Sequence, residues 1–310
     1  MTSQAADAKA ISVGALADPE MLGGDAGRRR ALFERARTSG VQHLFVADHV
    51  SFHTGFGMDG LIQAATAAAL APELRIHLGV YLLALRHPVL VARQLSTLCE
   101  SAPGRIVLGV GVGGEDRHEI EICGVDPRTR GRRTDACLEA LRGLLSGEPT
   151  SADNEFFAFE EAWIRPAPDP TPPIVIGGRS DAAVRRAARH GDGWLGVWCS
   201  PRRFEAVREQ IEAEGQGRGV AWRHGLQVWV GVDADAERAR QRLARRMEGV
   251  YQTPFERFEK YSPAGSPRRI AEFLAAYAEV GCRDFNVMAV AESSEAALDA
   301  VGEIAAELGS

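Results

Sequence analysis

Residues 105–119, RIVLGVGVGGEDRHE, decide how this chain is read. An apolar run, 106–110, passes into a glycine-rich turn that carries Glu115, Asp116 and Glu119. Gly109, Gly111 and Gly114 fit the spacing G-x-G-x-x-G, the phosphate cradle of dinucleotide-binding folds. That cradle opens a helix directly, usually sits in the first βαβ unit, and has an acid closing the next strand about 20 residues on. Here three strand-like runs precede the glycines, and the following EDRHEIEICGVDP offers only a short helical turn before Gly124 and Pro127. The cradle reading fails. A strand ending in glycine and acid has a second meaning, because such residues in a barrel stand on the C-terminal rim, where catalytic groups gather. Glycine there lets a flat ligand approach the backbone.

Outward from this strand the same rhythm repeats. Strand-like runs begin at Ile11 (ISVGAL), His43 (HLFVAD), Leu74 (LRIHLGVY), Pro173 (PIVIGG), Gly193 (GWLGVW), Leu226 (LQVWVGV) and Arg283 (RDFNVMAV), which with 105–111 makes eight. Apolar residues at helical spacing fill 28–39, 60–71, 88–101, 132–146, 181–190, 201–214, 236–249, 267–280 and 294–308. Pro88, Pro201 and Pro267 sit where a first helical turn tolerates them, and Gly40 and Gly281 where a helix ends. Strands alternating with helices imply a parallel sheet. Eight such units predict one (β/α)8 TIM-barrel domain over 1–310, favoured over an open doubly wound sheet. Two stretches, 147–172 and 250–266, break the rhythm and read as insertions, each too short to close its own core.

Composition narrows the function. The chain has 310 residues, 45% hydrophobic and 25% charged, which is globular usage. Net charge is −6, lysine occurs only at Lys9 and Lys260, and no basic tract stands out, so nucleic acid is not an expected partner. Five scattered cysteines without a C-x-x-C pair suit a reducing compartment and give no zinc site. The N-terminus lacks a basic start with an apolar core, and the longest apolar stretch, 78–85, is too short to span a bilayer. The expectation is a cytoplasmic protein with no membrane partner.

The strand ends supply the candidate site: Asp48 and His49 after the second strand, Gly79 and Val80 in the third, Gly111, Gly113 and Glu115 after the fourth, and Gly177, Gly178, Arg179 and Ser180 after the fifth. An imidazole exchanges protons near neutral pH, which suits a group beside a centre that gains or loses hydride. The glycine turn before 181–190 offers free N–H groups and a positive helix end to a phosphate, with Arg179 adding charge. Phe52, His53, Phe56, Trp194 and Trp198 lie near rim loops, whereas Trp222, Trp229 and His87 read as structural and Trp163 as a cover for the barrel floor.

SGVQHLFVADH, LGVYLLALRHPVLVARQLSTL, GRIVLGVGVGG and PPIVIGGRSDAAVRRAARHGDGW together resemble the luciferase-like monooxygenase superfamily, most closely its branch that uses coenzyme F420. The resemblance implies a small-molecule oxidoreductase in which Asp48 and His49 are the acid–histidine pair at the cofactor site, with His49 facing the deazaflavin and catalytic. It also implies a bulge at Gly79-Val80 with a cis peptide behind the ring, a second proton donor near Glu115, offset by an extra glycine, and a homodimer formed through the early helices, here 60–71. The stretch VWCSPRR lacks the phosphate-binding lysine of the glucose-6-phosphate branch, which disfavours that substrate. An FMN-dependent monooxygenase and a non-catalytic flavin-binding barrel are the competing readings.

Overall fold

The computed structural model describes residues 10–53, 55–114 and 116–309. Eight parallel strands, β1 (Ser12–Leu16), β2 (His43–Val46), β3 (Arg75–Leu82), β4 (Ile106–Gly111), β5 (Ile174–Gly177), β6 (Gly193–Val197), β7 (His224–Val232) and β8 (Cys282–Val290), pair in chain order. β8 returns to β1, with Val13 opposite Phe285, so the sheet closes into the expected (β/α)8 barrel. The β3–β4 register shifts between Leu78 and Tyr81, which leaves Gly79 and Val80 in a bulge.

The surrounding helices are α1 (Ala26–Thr38), α2 (Gly60–Leu70), α3 (Pro88–Ser101), α4 (Arg130–Leu145), α5 (Asp181–His190), α6 (Pro201–Glu214), α7 (Ala236–Tyr251), α8 (Pro267–Glu279) and α9 (Ser294–Gly309). Their starts are set by side-chain caps. Asp25 accepts from the N–H groups of Gly27 and Arg28, so α1 begins two residues before its apolar pattern does. Asp59, Ser180, Ser200 and Ser266 do the same for α2, α5, α6 and α8, and His87 caps α3 through Val89 N. In α3 the buried Val91, Ala92, Leu95, Leu98 and Cys99 form the stripe that faces the barrel. No described helix is long and apolar enough to cross a membrane.

Both rhythm-breaking stretches carry structure of their own. In 147–172 an antiparallel hairpin, Thr150–Asp153 with Ala158–Ala162, brings Phe157 and Phe159 against His87. Trp163, read as a floor cover, is instead 44% exposed beneath the Arg165 guanidinium. The seventh unit departs further from expectation. Helix α7 continues to Tyr251, where Gln252 takes a left-handed conformation, and two 3₁₀ turns and a two-residue strand alongside β7 precede α8. Leu243 and Met247 of α7 pack with Phe45, Trp229, Phe255 and Met288 in a cluster over the barrel's upper end.

The opposite end is closed by polar residues. Arg223 grips both oxygens of Asp284 at 2.6 and 2.8 Å, and Arg75 stands 3.7 Å away. His43 bonds Ser12 Oγ at 2.8 Å and Asn286 Oδ1 at 2.9 Å, and stacks on His77 at 4.0 Å. A Cβ on Gly14 would lie 2.2 Å from the His43 ring, so glycine on β1 makes room for the imidazole. Burial pushes His43 down to about 4 and His77 well below the ordinary histidine value, so both are neutral packing groups at neutral pH.

Candidate active site

A cavity of about 750 Å³ opens among the C-terminal strand ends. Its wall at β3–β5 is built around one side chain. A Cβ on Gly111 would lie 2.4 Å from Val80 Cγ2, and one on Gly177 2.8 Å from Val80 Cγ1. The space these glycines open on β4 and β5 is therefore filled by Val80, which lines the cavity from the bulge. The Gly79-Val80 peptide is cis, as the resemblance implied. A Cβ on Gly79 would meet Asn286 Nδ2 and Gln227 Oε1, each at 2.9 Å, so only glycine fits above that polar pair.

The candidate residues after β2 take different places. Asp48 is 2% exposed and fully engaged. It accepts from Gly60 N at 2.9 Å and Leu82 N at 2.8 Å, and pairs with both terminal nitrogens of Arg86. It thereby ties the start of α2 to the end of β3. His49 lines the cavity, at the start of a hairpin, His49–Phe52 with Phe56–Met58, that also brings Phe52, His53, Phe56 and Met58 to the wall. Gly113, Gly177 and Gly178 line the cavity as well, with Gly113 at φ +66° and Gly178 at φ +118°. Arg179 and Ser180 stand exposed beside it. The Arg179 guanidinium lies 5.5 Å from the Trp198 ring, and Ser180 caps α5 through Ala183 N. Trp194, expected in a pocket wall, is buried, and its indole donates to Gly178 O at 2.6 Å, which holds the glycine turn. Glu115 lies outside the described residues.

Sequence reasoning missed Glu119, which it named only as one of the acids carried by the glycine-rich turn. It is 2% exposed. Its Oε2 lies 3.0 Å from His49 Nδ1, and its Oε1 accepts from Val50 N at 2.7 Å and Ser51 N at 3.1 Å. Burial alone would raise this carboxyl. The hydrogen bond to His49 and the two backbone donors help outweigh burial and hold it below the usual carboxylate value. Asp116 caps the helix Arg117–Ile122 and also accepts from His53 N at 2.6 Å, so two acids fasten the hairpin to the loop after β4. The available signal was the D-x-x-E spacing of a capping pair, 116 to 119. Arg245, Arg246 and Tyr251 of α7 also reach the cavity, and no motif had marked them.

Two buried polar atoms in the wall have no partner among the described residues: Gln227 Oε1 and Trp198 Nε1. They offer an acceptor and a donor to a bound molecule. Below the cavity, ligand-type atoms of His43, His77 and Asp284 lie within 4.8 Å of one another. Both nitrogens of His43 and both oxygens of Asp284 are already bonded, and two arginines stand against the spot, so the group is arranged as packing rather than for a cation.

A closed (β/α)8 barrel with an apolar-walled cavity at its C-terminal rim and a histidine facing into it is the framework of a barrel enzyme. The chain belongs to the luciferase-like monooxygenase family, whose model matches residues 11–284. It is 37% identical over 155 residues to an uncharacterized protein of Mycobacterium tuberculosis, covering 50% of this chain and 53% of that one. It is 33% identical over 167 residues to an F420-dependent glucose-6-phosphate dehydrogenase of Beutenbergia cavernae, covering 52% and 49%. The chain spans about half the length of these curated relatives. In fold it is similar to an F420-dependent secondary alcohol dehydrogenase in complex with an F420-acetone adduct (TM-score 0.83, 18% identity, 96% of this chain and 99% of that one). It is also similar to the FMN-bound oxygenating constituent of 3,6-diketocamphane monooxygenase from Pseudomonas putida (TM-score 0.74, 15% identity, 97% and 98%).

Proposed function

We propose that this enzyme uses coenzyme F420 and moves a hydride between the deazaflavin C5 and a small organic molecule held in the same cavity. The observation that carries the reading is His49, placed at the cavity wall with one ring nitrogen bonded to Glu119 and the other without a protein partner among the described residues. A hydride centre needs a matched proton movement, and an imidazole supplies it near neutral pH.

The residues fit the cofactor. Gln227 Oε1 would accept from an N–H of the bound ring and Trp198 Nε1 would donate to one of its carbonyls, partners that both atoms lack among the described residues. Gly177, Gly178, Arg179 and Ser180 at the start of α5 would hold a phosphate, and Gly79, Val80, Gly111 and Gly113 would form the wall beside the ring. Asp48 acts through the scaffold by fixing Arg86 and the loop that bears His49. When bound, the cofactor supplies the hydride chemistry, while the protein orients, excludes water and handles the proton. Glu115 belongs to this proposal as a second proton group. The five cysteines, all free, are in keeping with the cytoplasm. Ile62 of α2 and Leu90 of α3, 70% and 64% exposed, support a homodimer through the early helices.

The second reading, an FMN-dependent monooxygenase, is supported by 30% identity over 241 residues to a 4-hydroxyprotoasukamycin monooxygenase of Streptomyces nodosus subsp. asukaensis, covering 74% of this chain and 60% of that one. Fluorescence titration with F420 and with FMN separates the two. Tighter F420 binding is the expected result, tighter FMN binding transfers the function to the monooxygenase, and binding of neither removes both.

A further inference from the structure

The Glu119 carboxylate has more to do than fasten a loop. Ionised, it has no proton to give, so every contact it makes is as an acceptor. Three N–H groups converge on it: Val50 N, Ser51 N and His49 Nδ1. The Phe52 ring, 4.2 Å from the imidazole, restricts the ring plane, and Asp116 anchors the short helix that delivers Glu119. The proton of neutral His49 is thereby confined to Nδ1. Its Nε2 keeps a lone pair toward the cavity, with no partner among the described residues.

We infer that Glu119 is a positioning residue that fixes the tautomer of His49, making Nε2 a proton acceptor rather than a donor in the resting protein. A proton taken up at Nε2 would leave an imidazolium against the Glu119 carboxylate, which stabilises it. The tautomer assignment rests only on the residues of this chain. The role of Nε2 in turnover rests on the F420 reading.

One isosteric change tests both parts. In Glu119→Gln, the amide oxygen takes the place of Oε1 and keeps the Val50 and Ser51 bonds, while the amide NH₂ takes the place of Oε2 and donates to His49 Nδ1. The proton moves to Nε2. Long-range ¹H–¹⁵N spectra of the ¹⁵N-histidine-labelled protein without cofactor read this directly, with the His49 signal identified by its loss in His49→Gln. The expected result is Nδ1–H in the wild type and Nε2–H in the Gln variant, at a pH where the ring is neutral. A wild type protonated on Nε2, or a Gln variant with the wild-type tautomer, overturns the inference. Because the wild-type spectrum alone can refute it, poor folding of the variant does not protect it. Glu119→Asp, which keeps the charge but shortens the reach, should show a mixture. In the F420-loaded enzyme, Glu119→Gln should lower kcat by about 10²–10⁴ with little change in KM, the range for a lost general base. Failure to bind F420 defeats the function proposed above and leaves the tautomer result standing, whereas normal turnover in a tautomer-reversed variant defeats the proton-acceptor role alone.

Discussion

Replacing Gly111 by alanine sets a methyl 2.4 Å from Val80 Cγ2, more than an ångström inside the contact distance of about 3.5 Å. Val80 has little freedom to yield, because a β-branched side chain is stiff at χ1 and a second glycine niche, at Gly177, already encloses its other methyl. The cost should fall in the overpacking range of about 1–3 kcal/mol. Val80→Ala removes both methyls from a half-buried position and should cost about 1 kcal/mol. Combined, the two changes relieve each other, since the new methyl of residue 111 enters the room that Val80 vacates. The double variant should then be about 1–2 kcal/mol more stable than the sum of the single effects allows. Urea unfolding of the four proteins, analysed with a common slope, closes the cycle. If the two effects add within about 0.5 kcal/mol, Val80 is not what these glycines accommodate, and the account of the cavity wall fails.

Gly109→Ala should behave differently, because its Cβ would lie 1.9 Å from the carbonyl oxygen of Leu78, which is backbone. No soluble folded protein is expected from this variant even on a Val80→Ala background, and a native circular dichroism spectrum would refute that. For His43, burial lowers the folded value to about 4 from an ordinary value of 6.5. Between those values the unfolded chain binds a proton that the folded one refuses, so stability falls as pH drops from 6.5 to 4, by about 3 kcal/mol from this group. Urea midpoints at pH 7 and 4.5 should show a smaller drop in His43→Gln than in the wild type, and an equal drop would remove His43 as a cause. Ile62→Glu should convert a dimer to a monomer in sedimentation at micromolar concentration, whereas a wild-type monomer would end the dimer proposal.

What the sequence revealed and what it concealed follow from the range of the interactions. The eight strands and most helix limits were legible because the alternation of apolar runs and helical stripes is local. The rim positions followed from chain order, since a barrel strand's end is known once the strand is. Glu119 was not legible. Its importance lies in meeting the backbone of Val50 and Ser51 and the ring of His49 across some 70 residues of chain, and an acid in a DRHE turn has the same local appearance whether it faces water or a histidine. The glycines of β4 and β5 were read as room for a ligand, but nothing in their own strands shows that Val80 of β3 fills that room. Helix α7 was seen, yet its continuation to Tyr251 and its place over the cavity depend on packing against Trp229 and Met288.

The layer of Arg223, Asp284, His43, His77 and Asn286 across the lower barrel has a kinetic consequence. With Arg223 paired to Asp284, His43 bonded to Ser12 and Asn286, and His77 stacked on His43, these side chains stop the cavity like the bottom of a well. Two ligands that share such a well must pass the same mouth in sequence. The deeper one enters first and leaves last, and the shallower one, in excess, locks it in. For an F420 enzyme of this shape, saturating substrate should slow the dissociation of the cofactor, so turnover follows a compulsory order set by the architecture of the barrel before any chemical step begins.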